Sequence, residues 1–217
     1  MHDFLKKHPL FDGISAEDIK HLLSCMDSRK QHFKKGSYIF IAGSSYPRIG
    51  ILLSGSAQVI KENYHGDRMI IGNIGAGAFF GETYACMGLT EIPVSVEALE
   101  DCDVLLLDVN KMLKTCSTAC SFHHKLISNL LKIVASKNMQ LNRKMSYITH
   151  KTIRGRLLAY FEDQAEAAAS DTFQIPFNRN ELADYLCMDR SAMSRELGNM
   201  KKEGLLLFKK KTFRLQA

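Results

Sequence analysis

The chain has 217 residues, 46% hydrophobic and 9% aromatic, which suits one large or two modest packed domains and excludes a disordered chain. It contains no run of about 18 apolar residues, so no transmembrane helix is expected; the polar start Met1-His2-Asp3-Phe4 lacks a signal-peptide pattern, which makes the cytoplasm the expected location. The formal net charge of +6 is unevenly spread, with 11 Lys/Arg against 14 Asp/Glu in residues 1–113, six against none in 114–148 and 12 against nine in 149–217. An acidic front and a basic tail fit a molecule whose C-terminal part meets a polyanion, although a solvated basic surface has the same composition.

Residues 14–26 read as a short helix, with Ser15 as N-cap and Glu17 and Asp18 in the first turn. From Gln31 to Val109 the pattern changes to short apolar runs: Tyr38–Ala42, Ile49–Leu53, Ala57–Ile60, Met69–Ile71, Val94–Ala98 and Val104–Leu107. Turn signals such as Lys35-Gly36, Gly43-Ser44, Ser54-Gly55 and Gly75-Ala76-Gly77 separate them, which predicts an antiparallel barrel or sandwich. Gly72, Gly75, Gly77 and Gly81 read as turn glycines and not as a dinucleotide loop, because no helical pattern follows a strand at the right spacing.

The period becomes helical from about Lys111 to Tyr147. Ile127, Val134, Leu141 and Ile148 recur every seven residues, and His124, Leu131, Asn138 and Met145 form a second, interleaved series. Together they predict an a/d-like seam, with Asn138 able to fix register in a two-stranded pairing. The competing reading is a helix packed on its own barrel; the polar His124 and Asn138 favour a homodimer seam. Cys116 and Cys120, with His123 and His124 just beyond, could share one helical face. That face would serve metal, haem iron or thiol chemistry, or simply hold packed thiols. Cys25, Cys86, Cys102 and Cys187 are scattered and suit reduced thiols.

Residues 151–168 continue as a helix, and Phe173–Phe177 reads as a brief strand. Asn178 as N-cap with Glu181 at N3 forms a capping-box variant that opens a short helix over 181–186. Cys187-Met188-Asp189 makes a turn, and Asp189 caps a second helix over 190–200. Met193, Leu197 and Met200 supply its buried face, leaving Arg190, Ser191, Ser194 and Arg195 on the other. Arginine donates two hydrogen bonds to guanine O6 and N7, and serine reaches bases or phosphates, so this helix suits a major groove. Two short strands, Leu205–Phe208 and Phe213–Leu215, with Lys209-Lys210-Lys211 at their tip, predict a wing that grips phosphate. The expected DNA contacts are Arg179, Arg190, Ser191, Ala192, Ser194, Arg195, Lys201, Lys209, Lys210 and Lys211.

This order of parts resembles the CRP/FNR family of bacterial transcription regulators over nearly the whole chain. The residues that carry the resemblance are Gly77-Ala78-Phe79-Phe80-Gly81-Glu82, the long helix, and Asn180–Leu186 running into Arg190–Leu197, which is similar to the family's frequent Ser-Arg-Glu-Thr-Val-Ser-Arg helix. The resemblance implies an α+β chain with three parts: an N-terminal antiparallel β-roll that senses an effector (1–113), a dimerisation helix (114–148) and a winged helix-turn-helix (149–217). It also implies a homodimeric activator on a near-palindromic duplex operator, in contact with RNA polymerase. The effector pocket it implies comprises Gly81, Glu82, Thr83, Ile92, Pro93, Val94 and Leu131.

Two departures carry information. The family usually places Glu after the first Arg of the recognition helix; Ser191 stands there, so the operator should differ at that base pair, a change worth about 1–3 kcal/mol. The family's cyclic-nucleotide binders follow Gly-Glu with an Arg-Ser/Thr-Ala segment, whereas this chain reads Glu91-Ile92-Pro93-Val94-Ser95 and has no Arg between Arg68 and Arg143. A buried phosphate would lack its charge-assisted fork, so cAMP or cGMP is not the expected effector. The iron–sulfur branch of the family needs an N-terminal cysteine cluster, and no cysteine precedes Cys25. Haem or another small effector stays open, and no metal site is assigned.

No serine-hydrolase elbow, phosphate loop, zinc-protease or Cys-x-x-Cys motif is present, so no enzyme is expected. The alternatives are a sensor whose helix-turn-helix serves protein contact, and a cupin-like metalloenzyme barrel, for which the strands offer only His65 and Glu82.

Overall fold

The computed structural model describes residues 2–45, 48–63, 65, 68–89, 91–113 and 121–216. The chain forms two compact units, Met1–Ala135 and Ser136–Ala217.

The first unit opens with α1 (His2–Lys6), a 3-10 turn at Pro9–Phe11 and α2 (Ala16–Cys25). Ser15 caps α2 as expected, its Oγ accepting from the Asp18 N–H at 3.1 Å. Strands β1 (Arg29–Phe33), β2 (Tyr38–Phe40), β3 (Arg48–Ser54), β4 (Ser56–Glu62), β5 (Arg68–Gly75) and β6 (Phe79–Phe80) follow. Next come the short helix α3 (Glu82–Cys86), β7 (Ser95–Ala98), β8 (Cys102–Asp108), α4 (Val109–Leu113) and the long α5 (Ser121–Ile148). The strands form two antiparallel sheets, ordered β1-β8-β3-β6 and β2-β7-β4-β5, which is the β-roll expected from the sequence.

The alternation along β8 explains the layering. Val104 and Leu106 are buried between the sheets with Phe40, Phe80, Ile92 and Val94. Leu105 and Leu107 face a second core, made with Leu10, Phe11, Ile19, Leu22 and the α5 residues Leu126 and Leu130. A strand buried on both faces reads as an unbroken apolar run. Asn129, buried on the same side of α5, donates from Nδ2 to the carbonyls of Leu10 (3.1 Å) and Asp12 (2.9 Å). The unit thus covers one face of a sheet with helices and the other with a sheet.

Three sequence expectations are corrected. The β-rich region begins at Arg29, not Gln31: β1 is almost wholly exposed and polar, and Lys30 and His32 pair with Asp103 of β8 across the ladder. Gly72 lies inside β5 and is not a turn residue, whereas Gly75 ends the strand and opens the expected turn, its carbonyl accepting from the Ala78 N–H at 3.0 Å. The β4–β5 register shifts between Val59 and Ile60, so Ile71 is the extra residue of a bulge, and Gly72 follows it. The helical stretch expected from Lys111 to Tyr147 comprises two helices, α4 and α5; residues 114–120, with Cys116 and Cys120, lie outside the described residues.

In the second unit the end of α5 is followed by α6 (Ile153–Ala168), β9 (Thr172–Gln174), α7 (Arg179–Tyr185), α8 (Arg190–Lys202), β10 (Leu206–Lys209) and β11 (Thr212–Leu215). The last two strands pair as a hairpin, and β9 joins β11. The strand expected over Phe173–Phe177 ends at Gln174, although the Ile175 N–H still donates to Lys211 O at 3.0 Å. At the centre of the core, Phe161 and Phe213 have ring centroids 4.5 Å apart, with Phe173 and Phe208 against them.

In the first unit His8 is buried against Phe11 and Phe79, and its Nδ1 accepts from the Leu10 N–H at 3.2 Å. Burial pushes its imidazole below the ordinary value of 6.5, outweighing a hydrogen bond to the Gly77 backbone. The unfolded chain therefore binds a proton that the folded chain resists, so stability present above that value is lost as pH falls below it. The melting temperature of the first unit should drop between about pH 7.5 and pH 5.5, and His8→Gln should flatten the drop. An unaltered pH profile in the variant would remove His8 as its cause.

Candidate nucleic-acid interface

The helix-turn-helix is set by local chemistry at each boundary. Asn178 Oδ1 accepts from the Glu181 N–H at 3.0 Å, while Glu181 Oε2 accepts from the Asn178 N–H at 2.6 Å, completing the expected capping box. The turn places Cys187 in the left-handed region at φ +53°. Arg156 secures that turn from α6, donating from Nη1 to the carbonyls of Leu186 (3.3 Å) and Cys187 (2.8 Å) and from Nε to His150 O (2.9 Å). Sequence reasoning missed this role, since nothing local to Arg156 marks a partner 31 residues away. Asp189 Oδ1 caps α8 by accepting from the Ala192 N–H at 2.7 Å. At the other end, Gly204 at φ +78° closes a Schellman motif, with Leu205 N–H donating to Met200 O and Gly204 N–H to Lys201 O.

Met193, Leu197 and Met200 are buried, and this fixes which residues α8 presents outward. Arg190, Ser191, Ser194 and Arg195 are exposed, and Ala192 is half-buried. Neither arginine makes a hydrogen bond or ion pair among the described residues, so both guanidinium groups keep their full donor sets. The positive end of the helix dipole adds to their field.

On the wing, Lys209, Lys210 and Lys211 are exposed, with Lys210 at φ +56° and the Lys211 ammonium donating to Pro176 O. Lys201, also exposed, has its Nζ 5.4 Å from the Phe208 ring centroid. Arg179 is half-buried, with its guanidinium 4.6 Å from the Phe208 centroid and 5.0 Å from that of Phe213. Burial lowers its pKa from the ordinary arginine value, and it remains a cation held on aromatic faces. A cleft of about 560 Å³, lined by Phe177, Asn178, Arg179, Phe208, Lys210 and Lys211, lies between the start of α7 and the wing. Three cations around an apolar floor suit a phosphodiester backbone.

In the β-roll, Gly81 has φ +81°, and a Cβ there would sit 2.7 Å from the Phe40 ring and 3.3 Å from Arg48 O. Conformation and space both demand glycine at this point. Glu82 is buried; Ile92 and Val94 are buried between the sheets, while Thr83 and Pro93 are exposed. Leu131 lies on the exposed side of α5 and belongs to neither buried cluster of the first unit. Arg68 pairs with Glu97, and Arg48 pairs with Asp27 at 2.9 Å. Among the described residues, no group of three or more His, Cys, Asp or Glu side chains is placed to hold a metal ion. None of the described helices is long and apolar enough to cross a membrane.

Two family models match the chain: the cyclic nucleotide-binding domain over residues 30–119 and the Crp-like helix-turn-helix domain over residues 155–216. The chain belongs to the CRP/FNR family of transcription regulators. The cAMP-activated global transcriptional regulator Vfr of Pseudomonas aeruginosa is 26% identical over 207 residues, covering 89% of this chain and 92% of that one. The c-di-GMP responsive regulator CLP of Xanthomonas campestris shares the fold with a TM-score of 0.58 at 18% identity, over 94% of this chain and 100% of that one. CprK complexed with OCPA gives a TM-score of 0.66 at 16% identity, over 92% and 89% of the respective chains.

In this CRP/FNR chain the capping box sets where the first helix of the motif begins. Asn178→Ala should therefore destabilise the second unit by about 0.5–2 kcal/mol, measured by chemical denaturation of the full chain. A cost near zero would show that the Asn178 cap contributes nothing to the motif.

Proposed function

We propose that this CRP/FNR regulator reads duplex DNA as a homodimer, with α8 in the major groove and the wing on phosphate. The observation that carries the proposal is the outward face of α8, where two uncommitted arginines and two serines stand beside a capped N-terminus. Arg190 and Arg195 supply bidentate donors for guanine edges, and Ser191 and Ser194 read or position beside them. Arg179, Lys201, Lys209, Lys210 and Lys211 supply backbone contacts.

The dimer reading rests on α5. His124, Leu131, Val134, Asn138, Leu141 and Met145 are exposed, Leu131 to 65% and Leu141 to 59%, while Ile127 and Ile148 are half-buried. A second copy of α5 would cover this stripe and set the two recognition helices on half-sites of a near-palindromic operator. We place the effector-sensing part at residues 1–113, the dimer helix at 114–148 and the DNA-reading part at 149–217. Vfr carries cAMP activation in its name, yet here Ile92 and Pro93 stand where the family's binders carry Arg, and Arg68 and Arg48 are committed to carboxylates. The effector is therefore another small molecule, which acts by binding the two states of the dimer unequally.

Duplex affinity should fall steeply with salt, Arg195→Ala should weaken binding to the preferred sequence by about 1–3 kcal/mol, and added cAMP should change neither. Salt-insensitive binding, or full affinity in the variant, would sink the reading; a cAMP-dependent gain would overturn the effector assignment alone. In sedimentation, Leu141→Asp should convert a dimer to a monomer, because the seam would bury an unpaired charge. A variant that sediments as a dimer would place the interface elsewhere.

A further inference from the structure

The first turn of α6 holds α8 in place. Arg156 grips the turn that precedes α8 through the Leu186 and Cys187 carbonyls. Arg154, two residues earlier, grips α8 itself. Its Nε donates to Glu196 Oε1 at 2.5 Å, and Nη1 and Nη2 donate to the two oxygens of Glu203 at 2.8 Å each. Residues 196 and 203 are seven apart, so their carboxylates project from one side of the helix. The fork-to-fork pairing with Glu203 fixes the guanidinium plane as well as its position. The added bond to Glu196 then opposes sliding along the axis of α8 and rotation about it.

The buried face of α8 decides which side meets solvent, and the finer setting along and about the axis is where the Arg154 pairs add to it. Two of its three anchors are Met193 and Met200, and methionine repacks readily. The hydrogen bonds to Glu203 and then Glu196 hold Arg154 above its ordinary pKa, and Glu203 is drawn below its own by Arg154.

We propose that Arg154 is a positioning residue for base reading: through Glu196 and Glu203 it sets the register of α8, so that Arg190, Ser191, Ser194 and Arg195 meet base edges together. The proposal rests on the DNA-binding reading above. It separates two properties that a phosphate contact would change together. Phosphates recur along the duplex and tolerate a shifted helix, whereas a bidentate base contact does not.

The test compares the wild-type full chain, Arg154→Ala, Arg154→Lys and Glu203→Gln on two duplexes. One duplex is enriched from a random-sequence pool by the wild-type protein, and the other is its scrambled sequence. Arg154→Ala should keep its affinity for the scrambled duplex, with an unchanged salt slope, while its preference for the enriched duplex falls about tenfold or more. Arg154→Lys should recover only part of that preference, because an ammonium lacks the planar fork. Thermal melting reports whether each variant folds; where Arg154→Ala does not, Glu203→Gln keeps the shape of the partner and should lose preference in the same sense. Full preference in a folded variant, or parallel loss on both duplexes, overturns the proposal. A wild-type chain that enriches no sequence overturns the DNA-binding reading and this proposal with it, and the wild-type control distinguishes that outcome.

Discussion

The contact between Phe161 of α6 and Phe213 of β11 is the interaction on which the second unit depends. Its ring centroids are 4.5 Å apart, and Phe173 and Phe208 extend the aromatic cluster into β9 and β10. A 13-residue helix such as α8 is marginal alone in water, so it needs this core to exist as a helix. By burying Met193, Leu197 and Met200 with the same rings, the core also decides which side of α8 meets solvent. Arg179 is tied to the same cluster through Phe208 and Phe213, so the start of α7 and the wing share one floor.

What the sequence revealed and what it hid follow from the range of the interactions. The caps at Ser15, Asn178 and Asp189 were legible because a side chain and the backbone N–H it accepts from lie within three residues. The hairpin of β10 and β11 was legible for the same reason. β1 was not, since Arg-Lys-Gln-His-Phe shows no alternation of polarity. It is a strand because its partners are on β8, far along the chain, with Arg29 opposite Leu106 and Phe33 opposite Cys102. Arg154 and Arg156 act across 30 to 49 residues, and no local pattern announces such pairs. Arg179 is among the expected DNA contacts, but its stacking on Phe208 and Phe213 belongs to tertiary structure.

The two readings of α5 left open by its sequence are not exclusive. Leu126, Asn129 and Leu130 pack on the core of the first unit, which satisfies the reading of a helix laid on its own barrel. Of the heptad residues, His124, Leu131, Val134, Asn138, Leu141 and Met145 lie on another side and are left in solvent. Asn138 there receives a hydrogen bond from Asn142 Nδ2 at 2.9 Å. Fully burying a side chain such as Leu131 or Leu141 is worth about 1.5–3 kcal/mol, so a stripe of them is a standing drive for association. Only one helix face can meet the barrel, and that is why a helix carrying two apolar stripes favours a second copy.

The charge count changes its meaning once the contacts are known. Residues 149–217 hold 12 basic and nine acidic side chains, a modest excess. Arg154 is occupied by Glu196 and Glu203, Arg156 by backbone carbonyls, Arg179 by aromatic rings, and Lys211 by Pro176 O. Some of the acids are committed as well: Glu181 and Asp189 serve as caps, and Asp163 accepts from the Tyr147 hydroxyl. Among the described residues the side chains of Lys151, Arg190, Arg195, Lys202, Lys209, Lys210 and Arg214 make no hydrogen bond or ion pair, and all seven are exposed. Only cations that reach phosphate release counterions, so the slope of affinity against salt should follow the phosphate-contacting residues and not all twelve. A helix whose Glu196 and Glu203 carboxylates are paired with Arg154, while Arg190 and Arg195 stay uncommitted, presents a more positive face to a polyanion than the sum over the sequence indicates.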